Sequence, residues 1–100
     1  MEILKRLRLM ANLKQKDLAK YLNISSQAYG YYENGKRKPD IKTLKNIADF
    51  YQISLDKLIN NDVIDEKATK MNSLFNALTE NEKDNVISYT LGIIENNHKK

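Results

Sequence analysis

The sequence predicts an all-α protein: five short helices in a first domain, residues 1–60, a polar linker at 61–70, and one or two helices in 71–100. Three observations predict it. Apolar residues recur at helical spacing almost without interruption, strand signals are weak, and the periodic runs are separated by short punctuators of Asn, Ser, Gly and Pro. One hundred residues suffice for one domain with a modest core and an appendage.

In the first helix Ile3, Leu4, Leu7, Met10 and Leu13 form an apolar stripe. It is expected to stop near Asn12, because asparagine tolerates the left-handed conformation that closes helices. Leu9 lies off the stripe, either packed on the C-terminal helices or simply exposed. A second helix, Gln15 to Leu22, sets Leu18, Ala19 and Leu22 on one face, and Asn23 stands where the next left-handed residue would fall. Ile24 points back inward and Ser25 is placed to cap a third helix, Ser26 to Glu33. Its inward residues are expected to be Ala28, Tyr29 and Tyr32, which leaves Ser26, Gln27, Gly30 and Tyr31 facing outward. Asn34-Gly35 closes it, and Lys36-Arg37-Lys38 and the chain's only proline, Pro39, follow directly. A fourth helix, from about Ile41 to Tyr51, buries Leu44, Ile47, Ala48 and Tyr51. Ser54 caps a fifth, Leu55 to Ile59, with Asp56 favourably placed in its first turn.

Beyond the linker, Met71, Leu74, Phe75 and Leu78 predict a short amphipathic helix. Thr79 and Glu82 then form a capping box for the last helix. That helix carries Val86, Ile87, Tyr89, Leu91, Ile93 and Ile94, an apolar face that the first domain, the preceding helix or another copy of the chain must cover.

Cysteine is absent, which excludes disulfides and thiolate metal sites. The N-terminal "EILKRLRLMA" does not read as a signal peptide, and no apolar run approaches membrane-spanning length, so a cytoplasmic protein without membrane contact is expected. The one histidine, His98, lies near the C-terminus, and there is no phosphate-cradling glycine loop, nucleophile elbow or His/carboxylate metal spacing. No enzymatic activity, catalytic residue, metal, cofactor or small-molecule ligand is therefore expected.

The net charge of +4 is unevenly spread. Residues 1–60 hold 12 Lys and Arg against 6 Asp and Glu, a balance of +6; residues 61–100 hold 5 against 7, a balance of −2. Basic charge thus belongs to the first part, which suits a polyanionic partner and equally suits a solvated lysine-rich surface. Two short helices separated by Leu22-Asn23-Ile24-Ser25 form a helix-turn-helix pattern, from Gln15 to Glu33.

The match extends well beyond that pattern. Leu7-Arg8, Leu13-Lys14-Gln15, Asp17-Leu18-Ala19, Ile24-Ser25, Glu33-Asn34-Gly35-Lys36, Pro39, Leu44, Ile47-Ala48 and Ser54-Leu55-Asp56 stand in register, without gaps, between Leu4 and Ile59. On these residues the chain resembles the phage-repressor helix-turn-helix family of the Cro/cI (XRE) type. It departs from that pattern at three usual glycines, here Asn12, Asn23 and Gln52. A positive φ at Gln52 would cost up to about 1 kcal/mol.

The resemblance implies a regulator of transcription that binds double-stranded DNA through the third helix. Ser26, Gln27, Gly30 and Tyr31 are then the candidates to meet bases, with Gln27 foremost because a carboxamide can pair with the N6/N7 edge of adenine. Lys14, Gln15, Asn34, Lys36, Arg37 and Lys38 are the candidates for phosphate contacts. An ion pair between Arg8 and Glu33, implied by the resemblance, would tie the first helix to the third. One recognition helix buries little surface, so a homodimer on a palindromic operator, acting as a repressor, is expected. Val86, Ile87, Leu91 and Ile94 are the dimerisation candidates. The alternative is an antitoxin or other partner-binding regulator that holds a different protein on the same C-terminal face.

Overall fold

The structure is a computed structural model and describes residues 1–61 and 65–98. Among these residues seven helices follow one another: α1 Glu2–Met10, α2 Gln15–Leu22, α3 Ser26–Asn34, α4 Ile41–Tyr51, α5 Leu55–Asn60, α6 Glu66–Asn76 and α7 Glu80–His98. Among the described residues there is no strand.

The turns are set by single residues. Asn12, Asn23 and Gln52 have φ of 57°, 58° and 55°, and each closes a helix with the same pair of backbone bonds. Leu13, Ile24 and Ile53 donate to the carbonyls of Arg8, Ala19 and Ala48 at 3.0 Å, while the left-handed residue before each donates to Leu9, Lys20 or Asp49. This is the Schellman closure, completed by an apolar residue that turns back onto the core. Gln52 adds a second bond to the same carbonyl, donating from Nε2 to Asp49 O at 2.8 Å. The helices start as economically. Ser25, Asp40 and Ser54 each accept from a backbone N–H three residues on, and Thr79 and Glu82 exchange the two bonds of a capping box at 2.8 and 3.2 Å.

The core is one cluster from α1 to α5. Leu4, Leu7, Leu18, Tyr29, Ile47, Phe50, Tyr51 and Leu58 are essentially inaccessible. In α3 only Tyr29 and Glu33 are buried, whereas Ala28 and Tyr32 are half-buried. In α4 Leu44 is half-buried and Phe50 takes a fully buried place that the apolar stripe did not assign to it. Phe50 meets Tyr21 edge-on at 4.7 Å and Tyr51 at 5.1 Å between ring centroids, and α6 packs against α4.

That packing corrects the expected linker. Residues Glu66 to Lys70 are helical, started by the Asp65 carboxylate accepting from Ala68 N at 3.0 Å; residues 62–64 of the expected linker lie outside the described residues. The inward face of α6 is also not the expected one. Thr69 and Ser73 are buried, one turn apart, while Met71 and Leu74 are 66% and 38% exposed. Small hydroxyl residues let α6 approach α4 closely, and the Ser73 hydroxyl satisfies itself on the Lys70 carbonyl at 2.9 Å. Asn76 then donates to the Phe50 carbonyl at 3.0 Å, satisfying a carbonyl in the last turn of α4.

α7 departs from the body. Nineteen residues at 1.5 Å rise make a rod of about 28 Å, and it lengthens the molecule to 56 Å against 28 and 22 Å across. Neither the first domain nor α6 covers its apolar face: Val86, Ile87, Leu91, Ile93 and Ile94 are all between 43% and 55% exposed. Leu9 is likewise exposed rather than packed on the C-terminal helices.

Candidate nucleic-acid interface

The centre of the site is an ion pair. Arg8 on α1 clasps Glu33 on α3 with two bonds, Nε to Oε2 at 2.6 Å and Nη2 to Oε1 at 3.0 Å. A third Arg8 donor, Nη1, reaches the Leu13 carbonyl at 3.0 Å, so the same guanidinium also holds the α1–α2 turn. Only 12% and 4% of the two side chains is exposed. Burial alone would raise the Glu33 carboxyl; the hydrogen bonds it accepts, from Arg8 foremost, and the charge of Arg8 outweigh burial and hold it below its ordinary value. The Met1 ammonium adds a second tie, donating to the carbonyls of Tyr32 and Glu33 at 2.6 and 3.1 Å, near the negative end of α3.

Gln15 joins this group. Its Nε2 donates to Glu33 Oε1 at 3.2 Å, which places the carboxamide across the middle of α3. A Cβ at Gly30 would stand 3.3 Å from Gln15 Oε1, so a side chain there would press on Gln15 by a few tenths of an ångström. The sequence reading gave Gly30 to the approach of a ligand and Gln15 to phosphate. The structure adds a contact between the two, and Gln15 keeps one amide hydrogen and its oxygen unused by Glu33.

Outward from Gly30, the surface of α3 is polar and open. Ser26 and Gln27 are exposed, Gly30 and Tyr31 half-buried. Gln27 Nε2 donates to Tyr31 Oη, one turn on, at 2.9 Å. Ser26, Gln27, Gly30, Tyr31 and Asn34 share one furrow with Gln15 and with Glu2 and Lys5 of α1. After Gly35, at φ 80°, Asn34 Oδ1 accepts from Lys36 N at 2.9 Å and bends the loop, which leaves its Nδ2 as a donor. The loop then folds back on Tyr31: Lys36 Nζ lies 4.8 Å and the Arg37 guanidinium carbon 6.0 Å from the ring centroid. Lys36, Arg37 and Lys38 are exposed, and Pro39 is buried behind them. Lys14, also exposed, caps α2 only through its backbone, its N–H bonded to the Asp17 carboxylate at 2.8 Å.

One surface thus carries donors and acceptors on a nine-residue helix, with cations at its end and a rigid ion pair behind it. Residues 4–58 match the helix-turn-helix family. The chain belongs to that family, in its Cro/cI type. The phage-repressor relatives include the transcriptional repressor RstR of the cryptic phage CTXphi in Vibrio cholerae, 28% identical over 82 residues, 80% of this chain and 74% of that protein. The HTH-type transcriptional regulator YqaE of Bacillus subtilis is 40% identical over 74 residues, 70% of this chain and 64% of that protein. The chain thus spans slightly under two thirds of the Bacillus protein it matches. A crystal structure of a transcriptional regulator from Listeria innocua superposes with a TM-score of 0.57 at 28% identity, covering 99% of this chain and 94% of that one.

Among the described residues no helix is long and apolar enough to cross a membrane. No group of three His, Cys, Asp or Glu among them is placed to hold a metal ion.

Proposed function

We propose that the protein is a sequence-specific, double-stranded DNA-binding transcriptional regulator: a cytoplasmic repressor that acts as a homodimer on a palindromic operator. The observation that carries this reading is the outward face of α3. Gln27 is exposed on a helix about 13 Å long, a length that fits the major groove, and the cations of the following loop stand beside Tyr31. Ser26 and Gln27 meet base edges, Tyr31 stands between Gln27 and the phosphates, and Gly30 keeps the helix surface low enough for close approach. Lys36, Arg37 and Lys38, with Lys14, Gln15 and the Asn34 amide, grip phosphates. Arg8 and Glu33 orient α3 and read nothing.

The homodimer reading is supported by α7. A free helix of this length is marginal in water unless its apolar face is covered, and among the described residues this face is uncovered. A second copy presents the same face, so two α7 helices are self-complementary across a two-fold axis. Val86, Ile87, Leu91 and Ile94 form the seam. Two α3 helices then address half-sites one helical turn apart, about 10 bp.

The experiment compares variants on specific and unrelated duplexes. Lys36→Ala and Arg37→Ala should weaken binding to all duplexes alike and lower the salt slope by about one unit each. Gln27→Ala should relax preference at one base pair per half-site. Variants that leave duplex binding unchanged at all three positions would refute the reading. Light scattering after size exclusion tests the dimer; a monomer that becomes ordered only with a different protein would replace it with the partner-holding reading.

A further inference from the structure

Within the proposed reading of α3 as the recognition helix, we infer that Tyr31 is a positioning residue that sets which base Gln27 reads. A glutamine carboxamide can turn end for end, presenting a donor where it had an acceptor, so an unbraced one discriminates poorly between base edges. Gln27 is braced: its Nε2 donates to Tyr31 Oη at 2.9 Å. The hydroxyl oxygen that accepts this bond keeps its own proton to donate. Lys36 and Arg37, at 4.8 and 6.0 Å from the ring, mark the side of Tyr31 on which phosphates lie. A phosphate there can only accept. It accepts a hydrogen bond from the Tyr31 hydroxyl, which obliges the phenol oxygen to accept from Gln27, and that in turn leaves one Nε2 hydrogen and the Oε1 lone pairs facing outward together. A donor beside an acceptor in that spacing is complementary to N7 and N6 of adenine.

The chain of bonds therefore runs from phosphate through Tyr31 to Gln27 to base. It converts a sequence-blind contact into an orientation that carries sequence information. The same ring holds the loop cations by its face, an effect that depends on the ring and not on its hydroxyl. The two roles of Tyr31 are separable by one atom.

The test is binding of wild type, Tyr31→Phe, Gln27→Ala and the double variant to the selected operator and to operators altered at the Gln27 base pair. Tyr31→Phe should lose about tenfold in preference at that base pair, within the discrimination a bidentate contact provides. Its affinity for unrelated duplexes should fall only by the one neutral phosphate hydrogen bond lost, with the wild-type salt slope kept. In the double variant, removing the hydroxyl should add nothing to the loss already caused by Gln27→Ala. The readout is a ratio of affinities within one variant, which a merely structural loss would not move. Unchanged base preference in Tyr31→Phe, or a uniform loss on every duplex, overturns the inference while leaving duplex binding standing. A wild type that binds no duplex overturns the functional reading itself.

Discussion

Removing Arg8 should be among the most damaging single changes in this chain. Arg8→Ala deletes both bonds to Glu33 and the bond to the Leu13 carbonyl, and leaves a carboxylate that is 4% exposed with Gln15 as its remaining side-chain donor. Breaking a buried pair in this way costs about 3–5 kcal/mol. Both residues line the open furrow beside α3, so the lower end applies, about 3 kcal/mol. That is a large part of the 5–15 kcal/mol or so that holds a domain folded, and about 4–8 °C in melting temperature for each kcal/mol.

The loss should also depend on pH, in a direction the structure dictates. The Glu33 carboxyl is held below its ordinary value in the folded protein. Its contribution is therefore fully present above the unfolded carboxyl value, about 4.3, and is lost as pH falls through the lower folded value. Without Arg8, burial is no longer outweighed, the carboxyl moves upward, and protonation relieves the variant. The deficit of Arg8→Ala should narrow between pH 7 and pH 3. Urea unfolding of both proteins at the two pH values measures it. A deficit below about 1 kcal/mol at pH 7, or one that does not narrow on acidification, would refute the reasoning.

Three further outcomes follow from single contacts. Gln52→Gly relieves a side chain at φ 55° at the cost of one exposed hydrogen bond to Asp49, and should stabilise the fold by about 0.5 kcal/mol in chemical denaturation. Gly30→Ala removes a helix-interior glycine and should leave the melting temperature equal or higher. It also presses on Gln15 at 3.3 Å and raises the outer surface of α3, so duplex binding should fall. Ile87→Asp with Leu91→Asp puts charge into the uncovered face of α7, and should yield a monomer by light scattering with the melting of the first five helices intact.

Much of the fold was legible because it is written in local chemistry. Asn12 and Asn23 announce left-handed closures, Ser25, Ser54 and Thr79 announce starts, and each acts within a few residues of itself; the left-handed Gln52 was signalled only by the resemblance. The burial of Phe50 was not legible, since its ring packs on Tyr21 of α2, a contact between helices far apart in the chain. Nor was the inward face of α6: reading apolar residues as inward selects Met71 and Leu74, whereas the close approach to α4 requires the small Thr69 and Ser73. At the site, the resemblance pointed to Arg8 and Glu33, and the structure brings them together. The placing of Gln15 against Gly30 joins α2 to α3, and no periodicity reports such a contact. The Gln27–Tyr31 bond falls at i, i+4 spacing, a signal that could have been read; the folding of Lys36 and Arg37 onto Tyr31 has no counterpart in the sequence.

Selecting bound duplexes from a random-sequence pool at low ionic strength, and sequencing those retained, addresses the outward face of α3 most directly. The predicted result is enrichment of two-fold-related half-sites with centres about 10 bp apart, or a multiple of it, each with a preferred A·T pair. Retention of no duplex, or retention without any sequence in common, would contradict it.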